Sequence, residues 1–567
     1  MICNPSLMEM KTMTNMYAAH LVSRYLKEVE NIDTIFALSG GHIDLILDGC
    51  LEHDIRVIDV RHEQSAAMMA HAWSIYRKQP GVCLVTAGPG FTNSLTGLVN
   101  AAQENAPLVC ISGCVKVKDW GRGALQELNQ GDMVKSVVKW HDVCHDPARI
   151  PEYLATAFRH AVSGRPGPVL LEIPPDVLDV KVDVTDLPRE KKGSIRYTPE
   201  PNPECIHAAA ELIQNAQRPF LIGGSGVAFS DCREKLSEFI EKTGIPFILM
   251  GAGRGTLPDT HPLSTWDGGL VGISVALGQA DLVIGLGLRF NWLLNFGQGF
   301  PEAKVIRVDI DATELDRNRH SDVGLVGDIR LVLKQLNQRI NQKTNADWPQ
   351  SLRQTYISYI QDEITKRERP SKPIHPVRLM AETYEATGDD AVYIIDGGDT
   401  CYFGTVGTFA AETAGVLSVS GGQFGCLGTG IPFGLAAKAA MPEKSVVVIT
   451  GDGSFGFNAM EFDTAVRHNL PIVCIVNNDK AWGMIKHGQE VKYGPDRLVA
   501  SELGLVRYEE IVKSLGGYGE LVENDEDIQP AITRALKSGK PACINVMTDP
   551  TAISLATYQF VSSFKKE

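Results

Sequence analysis

The chain has 567 residues, too many for one hydrophobic core, so about three domains of ordinary size are expected. Its 44% hydrophobic and 22% charged residues are normal for a soluble globular protein. The net charge of −14 argues against a nucleic-acid backbone or an anionic membrane as main partner, although a few local donors can still hold an anionic small molecule.

The opening stretch "MICNPSLMEMKTMTNMYAAHLVSRYLKEVE" lacks an uninterrupted apolar core and a small-residue cleavage site. No run approaches the roughly 20 apolar residues of a spanning helix, and "FKKE" is not a peroxisomal tripeptide. The expected compartment is the cytoplasm. Twelve cysteines are scattered without a CxxC pair, so buried free thiols are expected rather than structural zinc or disulfides.

Along the chain, short β-branched runs alternate with amphipathic stretches: "DTIFAL", "RVIDV", "GVCLVTA", "LVCISG", "PVLLEI". Such alternation predicts parallel α/β sheets. "RVIDVRHEQSAAMMAHAWS" places Glu63 after a strand and at the start of a helix rich in small residues. By itself, a glutamate there reads as a surface charge favoured by the helix dipole. Residues 184–204, rich in proline and charge, and residues 340–376, polar and partly helical, read as linkers. They divide the chain into residues 1–183, 205–338 and 377–550. The middle block has its own strand–glycine signals in "RPFLIGGSG", "ADLVIGLG" and "KVIRVDID".

In the third block, "KSVVVITGDGS" reads as a buried strand, Ser445 to Thr450, running into a glycine turn. Gly451 and Gly453 let the backbone approach a phosphate, with Ser454 beside them. Asn458 and Glu461 have capping-box spacing, which predicts a helix from there to about His468. "PIVCIV", Pro471 to Val476, is the next strand. Asp452 and the turn at Asn477, Asn478 and Asp479 therefore both follow strand C-termini, where open α/β sheets bind ligands. A hard cation such as Mg2+ prefers oxygen ligands, few of them from protein. Asp452, a second Asx oxygen and a backbone carbonyl would suit a bound diphosphate.

This stretch, opening with GDG and closing with an Asx residue, resembles the thiamine-diphosphate motif, and the resemblance extends over nearly the whole chain. It is closest to the acetolactate synthase, benzaldehyde lyase, oxalyl-CoA decarboxylase and 2-hydroxyacyl-CoA lyase group. The resemblance implies three doubly wound parallel-sheet α/β domains, pyrimidine-binding, central and diphosphate-binding, with thiamine diphosphate and Mg2+ as cofactors. In the family register, counted from Pro471, the second metal side chain is Asp479, with Asn478 as the alternative. The third ligand is the backbone carbonyl of Ala481, and Trp482, Gly483 and Met484 follow without a gap. "IIDGGDT" contributes Gly398, Asp399 and Thr400, which resemble a diphosphate-contact loop; a carboxylate at Asp399 favours backbone contacts there. "GQFGCLGTGIPFG" contributes Gly425 and Leu427, the latter at the position of the apolar wedge under the bent cofactor, where relatives often carry methionine.

"RHEQSAA" matches the family stretch whose glutamate bonds the cofactor's pyrimidine ring, which makes Glu63 the activating carboxylate. In the family that ring and the diphosphate are held by different subunits, so the resemblance implies at least a homodimer, and a homotetramer as the expected assembly. On the substrate side, "LSGGHIDLIL" resembles the benzaldehyde lyase stretch with a substrate-facing histidine, here His42 after Gly41. "GALQELNQGD" places Gln126 where relatives have an active-site glutamine, and "TAGPGFTN" offers Phe91 as a pocket wall. The His-His pair of pyruvate-decarboxylase-type enzymes is missing, since "KWHDVCHD" separates His141 from His145. "GLGLRFNWLLNFGQGF" is similar to acyl-CoA-processing relatives at Arg289 and Asn291, which implies ADP, a CoA moiety or FAD in the central domain. The expected activity is making or breaking a carbon–carbon bond beside a carbonyl of a small-molecule substrate. The alternatives are acetolactate synthase-like decarboxylation of a 2-oxo acid and, more remotely, a non-catalytic paralogue.

Overall fold

The computed structural model describes residues 15–558, apart from 186, 189–190, 267–268, 343–346, 405–415, 419–422 and 556. Three parallel sheets carry the fold. The first contains β1 (Thr34–Ala37), β2 (Arg56–Asp59), β3 (Gly81–Val85), β4 (Leu108–Gly113), β5 (His141–Val143) and β6 (Pro168–Ile173), in the order β2-β1-β3-β4-β6-β5. The central sheet contains β7 (Pro219–Gly223), β8 (Phe247–Leu249), β9 (Leu282–Leu286), β10 (Lys304–Asp309) and β11 (Val323–Val326), in the order β8-β7-β9-β10-β11. The third contains β12 (Val392–Asp396), β13 (Val416–Ser418), β14 (Val446–Gly451), β15 (Val473–Asn478), β16 (Tyr518–Val522) and β17 (Ala542–Met547), in the order β13-β12-β14-β15-β17-β16. The outer two sheets share one strand order. Interior strands such as β3 (GVCLV), β9 (LVIGL) and β14 (VVVITG) are largely apolar and buried, as a sheet covered by helices on both faces requires.

The outer units pack on each other within the chain. Phe36, Met68 and Phe91 share a buried core with Val392, Phe433 and Phe462. Polar bonds cross the same boundary: Arg467 Nη1 donates to Asp59 Oδ2 at 2.6 Å, and Ser65 Oγ donates to Asn458 Oδ1 at 3.2 Å.

Two local expectations are corrected. No capping box forms at Asn458, because a short helix already begins at Asp452 and runs to Asn458, and a second spans Glu461–Arg467. Tertiary partners take both side chains: Asn458 Nδ2 donates to the Gly428 carbonyl at 2.6 Å, while the Glu461 carboxylate accepts from the N–H groups of Arg61 and His62. Residues 340–376 are also more than a linker. A helix over Asp347–Glu368 buries Trp348, Leu352, Tyr356 and Ile360. That i, i+4 stripe packs against the central domain, and Trp348 Nε1 donates to the Pro219 carbonyl at 2.9 Å. The eleven described cysteines are all free, and only Cys205 is not buried. No helix among the described residues is long and apolar enough to cross a membrane.

Candidate active site

At the C-terminal ends of β12, β14 and β15 lies a cavity of about 320 Å3. Every expected cofactor contact lines it: Gly398, Asp399, Thr400, Gly425, Leu427, Gly451, Asp452, Gly453, Ser454, Asp479, Ala481, Trp482, Gly483 and Met484. The register of β14 on β15 pairs Gly451 with Asn477, which brings the two ends of the motif side by side. A Cβ on Gly453 would sit 2.5 Å from the Trp482 ring, so glycine is required where the turn passes under that indole.

The strand carrying the second end runs further than its sequence suggests, through both asparagines to Asn478. Alternation along it sends neighbouring side chains to opposite faces. Asn477 lines the cavity and donates to Thr400 Oγ1 at 2.9 Å. Asn478 is fully buried away from it: its Nδ2 donates to Asn545 Oδ1, and its Oδ1 accepts from the Lys480 N–H. Asp479, one step on, faces the cavity with Asp452. Burial, then the charge of Asp479, pushes the Asp452 carboxyl up to about 8; burial pushes Asp479 up to about 6.

These residues fit a divalent cation bound to a diphosphate. Asp452 Oδ1 accepts from the Gly453 N–H at 2.9 Å, but Asp452 Oδ2 and Asn477 Oδ1 are buried without a hydrogen-bond partner. Among the described residues, no cluster of three or more His, Cys, Asp and Glu could hold a metal by itself. A hard cation here would complete its shell with carbonyl, water and phosphate oxygens.

A second constellation lies in the first domain. Glu63 opens the helix Glu63–Arg77, is 6% exposed, and accepts at Oε2 from Asn93 Nδ2 at 3.0 Å. The backbone just before it is clamped from the third domain by Glu461. Glu63 Oε1 and Thr86 flank Gly90, and His42 Nδ1 lies 3.1 Å from Thr86 Oγ1. Burial lowers the His42 imidazole from its ordinary value. Gln126, at φ +65°, packs over Gly88, whose φ of +59° and crowding by Gln126 exclude a side chain. The Gly88 N–H donates to Gln130 Oε1, and Gln130 Nε2 donates to buried Glu172. Gly41 is exposed beside His42. Phe91 is not a pocket wall: it is completely buried in the core shared with the third domain. No described first-domain residue lines the Asp452 cavity.

Arg289 and Asn291 line a separate cavity of about 150 Å3, where Gln103 to Asn105 of the first block, the central domain, and Tyr402 and Gln423 of the third meet. Arg289 Nη1 donates to the Gln103 carbonyl and Gln423 Oε1, and its Nη2 to Asn105 Oδ1. Sequence reasoning missed Asn93 and the contact of Glu461 with the backbone before Glu63, and it gave Asn477 a place in the turn but no contact. No local signal pointed to Asn93.

Three parallel-sheet units with a paired-aspartate cavity at the strand ends of the third define a class of cofactor-dependent enzyme. Residues 16–133, 206–336 and 401–546 match, respectively, the N-terminal TPP binding domain, the central domain and the C-terminal TPP binding domain of thiamine pyrophosphate enzymes. The chain belongs to this thiamine pyrophosphate enzyme family. It is 35% identical to an acetolactate synthase large subunit of Mycobacterium tuberculosis, over 94% of this chain and 96% of that one. A 2-hydroxyacyl-CoA lyase of Arabidopsis thaliana is 32% identical over 94% and 95% of the two chains. An oxalyl-CoA decarboxylase of Escherichia coli is 31% identical over 94% and 95%.

Proposed function

We propose that the protein is a thiamine diphosphate- and Mg2+-dependent carbon–carbon lyase or carboligase acting on 2-hydroxy ketones, 2-hydroxyacyl thioesters or related carbonyl compounds. The observation that carries this reading is His42: Thr86 takes its Nδ1, which leaves Nε2 to exchange a proton with a substrate hydroxyl. Gln126 beside Gly88 would hold a carbonyl or carboxylate oxygen through its side-chain amide. Glu63, fixed at Oε2 by Asn93, has Oε1 with which to hold a proton on the cofactor's pyrimidine ring. Asp452, Asp479 and the Ala481 carbonyl would hold Mg2+. Backbone around Gly398, Thr400, Gly451, Gly453 and Ser454 would hold the diphosphate, and Leu427 and Met484 offer apolar support. Thiamine diphosphate, when bound, supplies the nucleophilic carbon and the electron sink that cleavage beside a carbonyl requires.

Glu63, His42 and Gln126 lie outside the cavity of their own chain's Asp452. That separation supports a homodimer at minimum, each site joining Glu63 of one copy to Asp452 of another, and a homotetramer as the assembly. Exposed Leu125 (82%), Phe457 (56%) and Met460 (50%) support burial of these faces between copies. An adenine nucleotide such as ADP or a CoA moiety, or FAD, is the proposed occupant of the central cavity; native mass spectrometry and an absorbance spectrum distinguish these. The 35% identity to an acetolactate synthase supports a second reading, decarboxylation of a 2-oxo acid. The protein, loaded with Mg2+ and thiamine diphosphate, is to be given benzoin, a 2-hydroxyacyl-CoA and pyruvate in turn. Aldehyde release from either of the first two is expected; turnover of pyruvate alone would replace the lyase reading with the second.

A further inference from the structure

The cavity around Asp452 has an electrostatic problem for an anionic cofactor. Asp399, Asp452, Asp479 and Asp549 all line it, and among the described lining residues there is no lysine, arginine or histidine. A divalent cation between Asp452 and Asp479 would answer two of these charges. Asp399 is the difficulty: it is 7% exposed, it opens the short helix Asp399–Gly404 in the stretch assigned to the diphosphate, and its Oδ1 is buried without a hydrogen-bond partner.

The structure supplies an answer one layer behind the wall. His487 lies on the helix Gly483–Tyr493, one turn beyond the cavity-lining Gly483, and is 1% exposed. Its Nδ1 is 2.9 Å from Asp399 Oδ2, and its Nε2 is 3.1 Å from the Pro550 carbonyl oxygen. A carbonyl only accepts, and an ionised carboxylate only accepts. With Asp399 ionised, both ring nitrogens donate and the ring is an imidazolium. Burial by itself would lower its pKa, but the bond to Asp399, that residue's charge and the Pro550 carbonyl leave it above the ordinary value. Glu490 adds to the same side, and Lys486 places a further positive charge near Asp479 from a partly exposed position.

We propose that His487 is a positioning residue for the diphosphate site: its imidazolium, held between Asp399 and Pro550, binds Asp399 Oδ2 and cancels its charge, so that an anionic diphosphate is accepted beside a carboxylate. The proposal rests on the thiamine diphosphate reading above.

The test is a double-substitution cycle read by cofactor binding, not turnover. Quenching of tryptophan fluorescence, with Trp482 in the cavity wall, reports the Kd for thiamine diphosphate at saturating Mg2+. His487→Gln leaves Asp399 uncompensated and is expected to weaken binding about 10- to 100-fold. Asp399→Asn alone is expected to bind at least as tightly as the unsubstituted protein. The double variant is expected to return to within about threefold of it, because no charge is left to compensate. A purely structural role for His487 predicts no such rescue, and the melting temperatures of the cofactor-free variants monitor folding separately. Unchanged affinity in His487→Gln, or a folded double variant as weak as His487→Gln, would overturn the proposal. Failure of the unsubstituted protein to bind thiamine diphosphate would instead overturn the cofactor reading itself.

Discussion

Asp452 and Asp479 show at the scale of single residues how a site is held ready at the expense of the empty fold. Both carboxyls have folded-state pKa values above their ordinary one, about 8 and about 6: burial penalises the charged form of each, and the charge of Asp479 adds to this at Asp452 and that of Asp399 at Asp479. These two groups therefore bind more protons in the fold than in the unfolded chain from about pH 4 to about pH 8, and their contribution to stability falls as pH rises through that window. The melting temperature of the cofactor-free protein should drop between about pH 5 and about pH 8. Mg2+ with thiamine diphosphate should reverse the drop by mass action, and Asp452→Asn should remove most of it while abolishing Mg2+ binding. A flat apo profile in differential scanning fluorimetry would contradict this. Glu63 is the second residue-scale case. Glu63→Gln should lower turnover by about 100-fold or more while cofactor affinity, measured by fluorescence quenching, stays within a few-fold; unchanged turnover would remove its catalytic assignment.

At the scale of elements, two segments act through packing that their own sequence does not announce. The helix Asp347–Glu368 belongs to the central domain because Leu352, fully buried, and Tyr356 face its core. Leu352→Ala should destabilise the protein by about 2–5 kcal/mol in urea unfolding; a free linker would show no change. The start of the helix Glu63–Arg77 depends on Glu461, whose carboxylate accepts from two backbone N–H groups just before Glu63. Glu461→Ala removes the acceptor from those two donors and loosens the start of the helix, so turnover should fall about tenfold, with recovery in Glu461→Gln, which retains an acceptor. Equal loss in both variants would favour a role for charge rather than for the acceptor. The capping box was legible but wrong, because the partners that Asn458 and Glu461 found are about 30 and 400 residues away in the chain.

The fold keeps Glu63 and His42 out of the cavity around Asp452: no described residue of the first block lines it, and Glu63 is held instead by Asn93. A shared site makes a specific prediction. Glu63→Gln and Asp452→Ala proteins are each inactive alone; after mixing under conditions that exchange subunits, about a quarter of normal activity should return, because half of the dimers are hybrids and each hybrid holds one intact site. No recovery, with hybrids verified by native mass spectrometry, would place Glu63 and Asp452 of one copy in the same site.

Local patterning alone determined a good deal: the α/β alternation, the principal strands and the glycine turn at Asp452. Each is a short-range property, set by side-chain period or by glycine's backbone freedom; the preference for Asp479 over Asn478 came instead from the register that the family resemblance implies. Tertiary structure decided the rest. It turned Asn478 towards Asn545 and Asn477 towards Thr400, sank Phe91 into a core shared by two domains, and set His487 behind Asp399. Those outcomes depend on which buried polar group meets which partner across long chain separations. A buried donor or acceptor must be satisfied wherever the fold brings a partner, and no local pattern encodes that meeting.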